Sequence, residues 1–169
     1  MTKLIYKFIV LFLVLITLSC GINNDDFKQQ YDPSVKKTEV ALRLNKDLFD
    51  TIETNRKNNI HTGDAFEINH VIKEGELLKI NLSYGGGCEQ HDFEILWDGI
   101  IYTDDPCFIN LIVTHNGNGD LCEAYLTETI EVDLKVLIGD NIYKNKCGYH
   151  IFSPFNSGEN SDVFVEGTN

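Results

Sequence analysis

Two stretches of the chain combine residue types that do chemistry at spacings that would let them act together. The first, "YGGGCEQHDF" (84–93), carries Cys88-x-x-His91, and the second, "HNGNGDLCE" (115–123), carries His115 and Cys122. Thiolate and imidazole are the ligands a tetrahedral zinc ion takes, so Cys88, His91, His115 and Cys122 form a candidate Cys2His2 zinc site. The same cysteines can instead pair with one another. Cys88, Cys107, Cys122 and Cys147 are an even set, which allows three connectivities of two disulfides. On that reading the histidines are hydrogen-bonded plugs at the end of a core.

The compartment bears on the choice, and the N-terminus speaks to it. Met1-Thr2-Lys3-Leu4-Ile5-Tyr6-Lys7 leads into an apolar run from Phe8 to Leu18, then Ser19-Cys20-Gly21. Positive charge, an apolar stretch and a small-residue cleavage site make a secretory signal peptide. The run is also shorter than the roughly 20 residues of a spanning helix. "TLSCG" resembles the lipobox of bacterial lipoproteins, which implies loss of residues 1–19 and a lipid on Cys20. Such an anchor holds a protein to a membrane without a spanning helix. Residues 20–40 then read as the lipidated Cys and a polar, flexible tether. Asp25-Asp26-Phe27 within it is similar to acidic signals that direct some lipoproteins to the outer cell surface. The expectation is an outer-membrane lipoprotein, facing the periplasm or the cell surface. Cysteines exported to an oxidising space are usually paired, which favours disulfides over zinc.

Loss of Lys3 and Lys7 reduces the 14 Lys and Arg to 12, against 26 Asp and Glu, a net charge of −14. That balance repels nucleic acid and anionic lipid. The expected partners are the membrane, through the anchor, and an unidentified protein or glycan.

What must position the cysteines and histidines is a β-rich domain over residues 41–169. "NKDLFDTIETNRK" (45–57) reads as one short helix, with Asn45 as cap, Asp47 in the first turn and Leu48, Phe49 and Ile52 on one face. After it the period changes to two. "FEINHVI" (66–72), "ELLKINLSY" (76–84), "HDFEILWDG" (91–99), "CFINLIVTH" (107–115), "AYLTETIEVDLKVLI" (124–138), "IYKNKCGYHIF" (142–152) and "DVFVEG" (162–167) read as seven strands separated by turn signals. Run 107–115 is apolar on both parities, as a central strand is. The fold class expected is all-β, an antiparallel β-sandwich of about seven strands with one short N-terminal helix.

Within it, setting Asp98 opposite Phe108 places His91 opposite His115. Both share parity with core residues, His91 with Phe93, Ile95 and Trp97, and His115 with Ile109, Leu111 and Val113. Cys88 and Cys122 lie just beyond that end, so Cys88–Cys122 is the favoured bridge and Cys107–Cys147 the remaining one. In a plain meander Cys107 and Cys147 flank strand 124–138 on opposite edges, about 10 Å apart at a strand spacing of about 4.8 Å. A disulfide needs Cα atoms within about 7 Å, so either the chain swaps sheets between these strands, which is the favoured reading, or these two cysteines stay reduced. Gly85, Gly86 and Gly87 supply positive φ and close approach for the corner. A phosphate cradle would require a following helix and a nearby Lys or Arg, and "CEQHDFEIL" offers a strand and acids.

"YGGGCEQHDFEI" followed by "VTHNGNGDLCEAYLTETIEVDL" resembles a pattern of small, uncharacterised secreted lipoproteins of Bacteroidetes-type bacteria: Gly-Gly-Cys-x-x-His-x-Phe, then His, an Asn/Gly/Asp loop and Asp-x-Cys-Glu-Ala. The resemblance covers residues 76–137 and implies architecture and compartment, not an activity.

Other chemistry is less well supplied. Asn116, Asn118, Asp120 and Glu123 have oxygens at calcium-loop spacing, but Leu121 and Thr127 stand where that loop needs Gly and Glu, and Asn-Gly is an ordinary turn former. Asp104, Asp105, Glu128 and Glu131 are carboxylates without a pairing signal, and no Gly-x-Ser-x-Gly, His-Glu-x-x-His or Ser-x-x-Lys occurs. Trp97 fits core better than a sugar-stacking face, and His61, His70 and His150 sit singly. The sequence thus points to a lipid-anchored binding or structural module without a cofactor. A zinc domain comes second, and a hydrolase without a recognisable site third.

Overall fold

One strand that the sequence pattern does not reveal precedes the helix, and the change of period after residue 57 marks where the other strands begin. A computed structural model of the chain describes Thr38, residues 40–155 and residues 162–167. The signal peptide, Cys20 and all of the tether except Thr38 and Val40 lie outside the described residues, which belong to one compact unit, Lys37–Asn169.

Among the described residues, eight strands and three helices follow one another: β1 (Val40–Leu44), α1 (Lys46–Lys57), β2 (Phe66–Glu74), β3 (Leu77–Gly86), β4 (Asp92–Tyr102), β5 (Phe108–Asn116), β6 (Ala124–Asp133), α2 (Leu134–Ile138), α3 (Tyr143–Lys146), β7 (Gly148–Phe152) and β8 (Asp162–Val165). A five-stranded sheet, in the order β1-β4-β5-β7-β8, packs on a three-stranded sheet, β2-β3-β6. The fold is the all-β sandwich expected, with one refinement. The β1–β4 and β5–β7 pairs are parallel, so the larger sheet is mixed.

The parallel pair has a simple origin. Strand β6 joins the smaller sheet, against β3, so the chain leaves the larger sheet after β5 and returns through α2 and α3 to lie beside β5 in the same direction. Cys107 and Cys147, each one residue before its strand, then become neighbours. They form a disulfide with Cα atoms 4.8 Å apart, and the Gly148 N–H donates to the Cys107 carbonyl at 3.0 Å.

Apolar residues of alternating parity fill the space between the sheets. Leu78, Ile80 and Leu82 of β3 meet Phe93, Ile95 and Trp97 of β4 and Ile109, Leu111 and Val113 of β5. The opposite parity of the larger sheet is covered by α1, where Phe49 and Ile52 pack on Leu96 and Ile112. This second layer explains why β5 is apolar on both faces. The Asn45 side chain accepts from the Leu48 N–H at 3.0 Å and caps α1.

Two segments read as strands contain short helices. Strand β6 stops at Asp133, whose carboxylate accepts from Lys135 N–H at 2.8 Å and Val136 N–H at 3.1 Å and starts α2. Leu134 and Leu137, three apart, are buried. Just before α3 the Asn141 side chain accepts from Tyr143 N–H at 3.0 Å.

Candidate functional site

Strands β3 and β4 on one side and β5 and β6 on the other end at the same tip of the sandwich, which gathers the Gly-Gly-Gly-Cys corner and the "HNGNGDLCE" loop. Phe93 pairs with His115, so the register differs by two residues from the one expected, and His91 lies just before the strand. A two-residue offset preserves the face. His91 and His115 both point into the end of the core, 5% and 3% exposed, with His91 Nδ1 2.7 Å from His115 Nε2. The Tyr84 ring lies 4.6 Å from that of His91, and the Phe93 ring stacks on that of His115 at 4.6 Å.

The group that organises this tip is Asp120. Its Oδ2 accepts from three consecutive backbone N–H groups, those of Gly87 at 2.8 Å and of Cys88 and Glu89 at 2.9 Å each. Its Oδ1 accepts from the Cys122 N–H at 2.8 Å, and Oδ2 lies 3.1 Å from His91 Nε2. Successive N–H groups converging on one oxygen form an anion-binding nest, here filled by a side chain of the same protein. These backbone donors, with help from His91, hold the Asp120 carboxyl well below the usual carboxylate range. Cys88 and Cys122, on either side of the nest, are joined by a disulfide with Cα atoms 5.9 Å apart.

The glycines now have individual reasons. Gly86 and Gly87 have φ of 150° and 121°, and a Cβ on Gly86 would overlap the His91 imidazole. Gly85 meets neither condition, because a Cβ there has nothing within 4 Å. On the opposite loop, Asn118 takes φ 54°, its N–H donates to Asn116 Oδ1 at 3.0 Å, and Gly117 N–H donates to Asp64 Oδ2 at 2.7 Å. The Asn118 side chain bridges to the Gln90 carbonyl at 2.7 Å and to Asp92 at 2.8 Å. The candidate calcium oxygens of Asn116, Asn118 and Asp120 are thus turned to building the turn.

His91 sits between the Asp120 carboxylate, 3.1 Å from Nε2, and His115, whose Nε2 is 2.7 Å from Nδ1. His115 Nδ1 is buried without a hydrogen-bond partner. Burial, and after it the neighbouring His91, pushes the His115 pKa down, against a weaker upward pull from the Asp64 and Ala65 backbone. Beside His115 a cleft of about 300 Å3 opens, lined by Asp64, Ala65, Gly85, His91, His115, Gly117, Gly119, Asp120 and Cys122. None of these residues carries a hydroxyl or a free thiol.

The four candidate zinc ligands come together as two pairs and not as a tetrahedral set. The sulfurs of Cys88 and Cys122 are bonded to each other, and the imidazoles of His91 and His115 to each other. Among the described residues, the donor atoms within 4.8 Å of one another are those of Cys88, Asp120 and Cys122. Asp120 is the residue that sequence reasoning placed among turn and calcium candidates without seeing its role. The available signal was its position two residues before Cys122, opposite a glycine run with N–H groups to spare.

No protein-family model matches the chain, and no curated protein matches it by sequence. Among solved structures it is similar to a protein of unknown function, DUF1344, from Bacteroides vulgatus, at 16% identity and a TM-score of 0.52, over 79% of this chain and 58% of that one. It is also similar to a putative toxin-related protein from Parabacteroides distasonis, at 14% identity and a TM-score of 0.50, over 78% and 61% of the two chains. A NigD-like immunity protein from Bacteroides caccae follows at 13% identity and a TM-score of 0.46, over 77% and 59%. The chain spans about three-fifths of the length of each of these proteins. What the chain shares with the first two is a fold.

Proposed function

We propose that the protein is a lipid-anchored lipoprotein of the cell envelope whose sandwich is a binding module and whose tip cleft is the binding surface. Export by residues 1–19 and lipidation at Cys20 are read from the lipobox-like sequence. The binding reading is carried by one observation: a preformed recess walled by glycine backbone and clamped by a disulfide, in which Asp120 and His91 are already saturated by their neighbours. Preformed concave sites with a few fixed polar groups are the usual form of ligand pockets. Groups committed to holding a wall are poorly placed to attack a substrate.

Gly85 provides the test. It lines the cleft, its backbone is ordinary for a side chain, and a Cβ meets nothing within 4 Å. Peptide and glycan libraries are screened against the mature lipoprotein and its Gly85→Leu variant. The expected result is a ligand lost in the variant while the unfolding temperature holds. Binding indifferent to Gly85→Leu sinks the reading.

The proximity of Cys88, Asp120 and Cys122 favours a second reading, in which the reduced protein takes zinc with His91 as a fourth donor. Intact mass separates the two. A denatured mass four hydrogens below the full-hydrogen value, with nothing bound in the native spectrum, supports the disulfide form. A full-hydrogen mass with one zinc supports the metal.

A further inference from the structure

We propose that Asn118 is a site of spontaneous deamidation, a slow modification that unfastens the two loops of the tip, and that its neighbour Asn116 is protected from it. The chain has two Asn-Gly pairs, Asn116-Gly117 and Asn118-Gly119, both at the junction that leads from β5 toward β6. Asn-Gly is open to this chemistry because glycine has no Cβ to shield its backbone nitrogen. That nitrogen gives up its proton to base and attacks Cγ of the preceding Asn side chain. The new N–Cγ bond closes a succinimide, the Cγ–Nδ2 bond breaks, and the amide nitrogen leaves as ammonia. Water then opens the ring to aspartate, or to iso-aspartate, whose backbone runs through Cγ.

The two pairs are chemically alike, and the fold separates them. Gly117 is buried, and its N–H donates to Asp64 Oδ2 at 2.7 Å. The proton that must leave is thus held by a carboxylate, and its departure would set a second negative charge against the first. Asn116 is blocked at this step. Gly119 is exposed, a Cβ built on it meets nothing within 4 Å, and no hydrogen bond among the described residues takes its N–H. Base and water reach it freely. On the side under attack, Asn118 Oδ1 accepts from Asn116 Nδ2 at 3.0 Å, a donor already aimed at the oxygen on which charge develops.

The amide at risk is also a fastener. Nδ2 of Asn118 donates to the Gln90 carbonyl at 2.7 Å and to Asp92 Oδ2 at 2.8 Å. A carbonyl and an ionised carboxylate only accept, so the position requires the amide nitrogen. Deamidation puts a carboxylate oxygen in its place, facing two acceptors, one of them charged. The tie between the Asn118 loop and the segment that carries His91 then becomes a repulsion. None of this depends on what the cleft binds.

The experiment incubates the mature lipoprotein in detergent at mildly alkaline pH, folded and, in parallel, unfolded in denaturant. Tandem mass spectrometry maps the gain of about one dalton at each asparagine. Unfolded, the two should convert at similar rates. Folded, Asn118 should convert about tenfold faster than Asn116, the ratio expected for giving up one hydrogen bond to a charged group. Asp64→Asn keeps an acceptor for Gly117 without the charge, and should speed Asn116 while leaving Asn118 as it was. Hydrogen exchange around residues 90–92 should quicken in Asn118→Asp. It should also quicken in aged wild-type protein, which acquires its carboxylate after folding. Asn116 converting first, equal folded rates, or a folded Asn118 that stays intact while the unfolded chain converts overturns the site. An Asn116 rate indifferent to Asp64→Asn overturns the protection, and unchanged exchange in the aged protein overturns the release of the loops.

Discussion

At the scale of single residues, the tip depends on one carboxylate and one glycine. Asp120 gathers four backbone N–H groups and a histidine, so its ionised form belongs to the folded state. A carboxyl depressed in the native state adds stability that is complete above its unfolded pKa of about 3.9 and is lost as pH falls toward the native value. Wild-type stability should therefore decline from about pH 5 downward, and Asp120→Asn should lower the unfolding temperature at pH 7 while flattening that acid limb. Denaturant titrations across the range check both. An unchanged limb would place the acid sensitivity elsewhere. Gly86→Ala forces a Cβ into His91 at a φ that L-residues avoid, and should cost about 2–4 kcal/mol, whereas Gly85→Ala should change stability by less than about 0.5 kcal/mol. The glycine run and the histidines could be read from sequence as a corner closing a core. Asp120 could not, because one acid among 26 is marked only by its position against a loop that forms 31 residues earlier.

At the scale of elements, parity carried more information than register. Strand β4 bends at Gly99, φ 81°, where Asp98 accepts from Ile100 N–H at 2.8 Å and from Tyr102 hydroxyl at 3.0 Å, and the strand continues to Tyr102. Phe108 therefore pairs with Tyr102 and not with Asp98. The error is even-numbered by the time the ladder reaches His115, so the predicted face survives. A bulge of this kind leaves little trace in a hydrophobic pattern, since Gly99 also reads as an ordinary turn. Strand β6 shows the complementary limit: Leu134, Val136 and Ile138 continue the period of two, and only the cap formed by Asp133 reveals a helix. Helix α1 was legible because cap, first-turn acid and apolar stripe agree. Its hold on the sheet rests on Phe49 and Ile52 against Leu96 and Ile112. Ile52→Ala should cost about 2–4 kcal/mol through the cavity it leaves, and Asn45→Ala about 1 kcal/mol through the lost cap. Chemical denaturation of the two variants ranks them, and the reverse order would mean that the helix is held by its start and not by its face.

At the scale of the whole molecule, the two disulfides and the proposed anchor act on different things. The bridges close similar loops, with separations of 34 and 40 residues, so removal of either should cost about 4 kcal/mol by loop entropy alone. Their local consequences differ. Cys107→Ala with Cys147→Ala should lower the unfolding temperature and leave cleft binding intact, whereas Cys88→Ala with Cys122→Ala also frees the loop that holds Asp120 and should weaken both. Equal effects on binding would mean that the cleft feels only global stability. The distance a disulfide tolerates argues for a departure from a plain meander between Cys107 and Cys147, and the structure supplies it by laying β7 beside β5. The direction of β7 does not follow, because it depends on a crossover through α2 and α3 that the strand pattern conceals. The proposed membrane attachment is the remaining global question, and the charge balance sharpens its test. On the proposed processing the mature chain has a net charge of −14 and gains nothing from an anionic lipid surface, so the proposed acyl chains on Cys20 should supply its membrane affinity and make it resist salt. The full-length protein should stay with the membrane fraction in a high-salt wash, and Cys20→Ser should be released even in low salt. Retention of Cys20→Ser that is stripped by salt would point instead to a charged protein partner in the envelope.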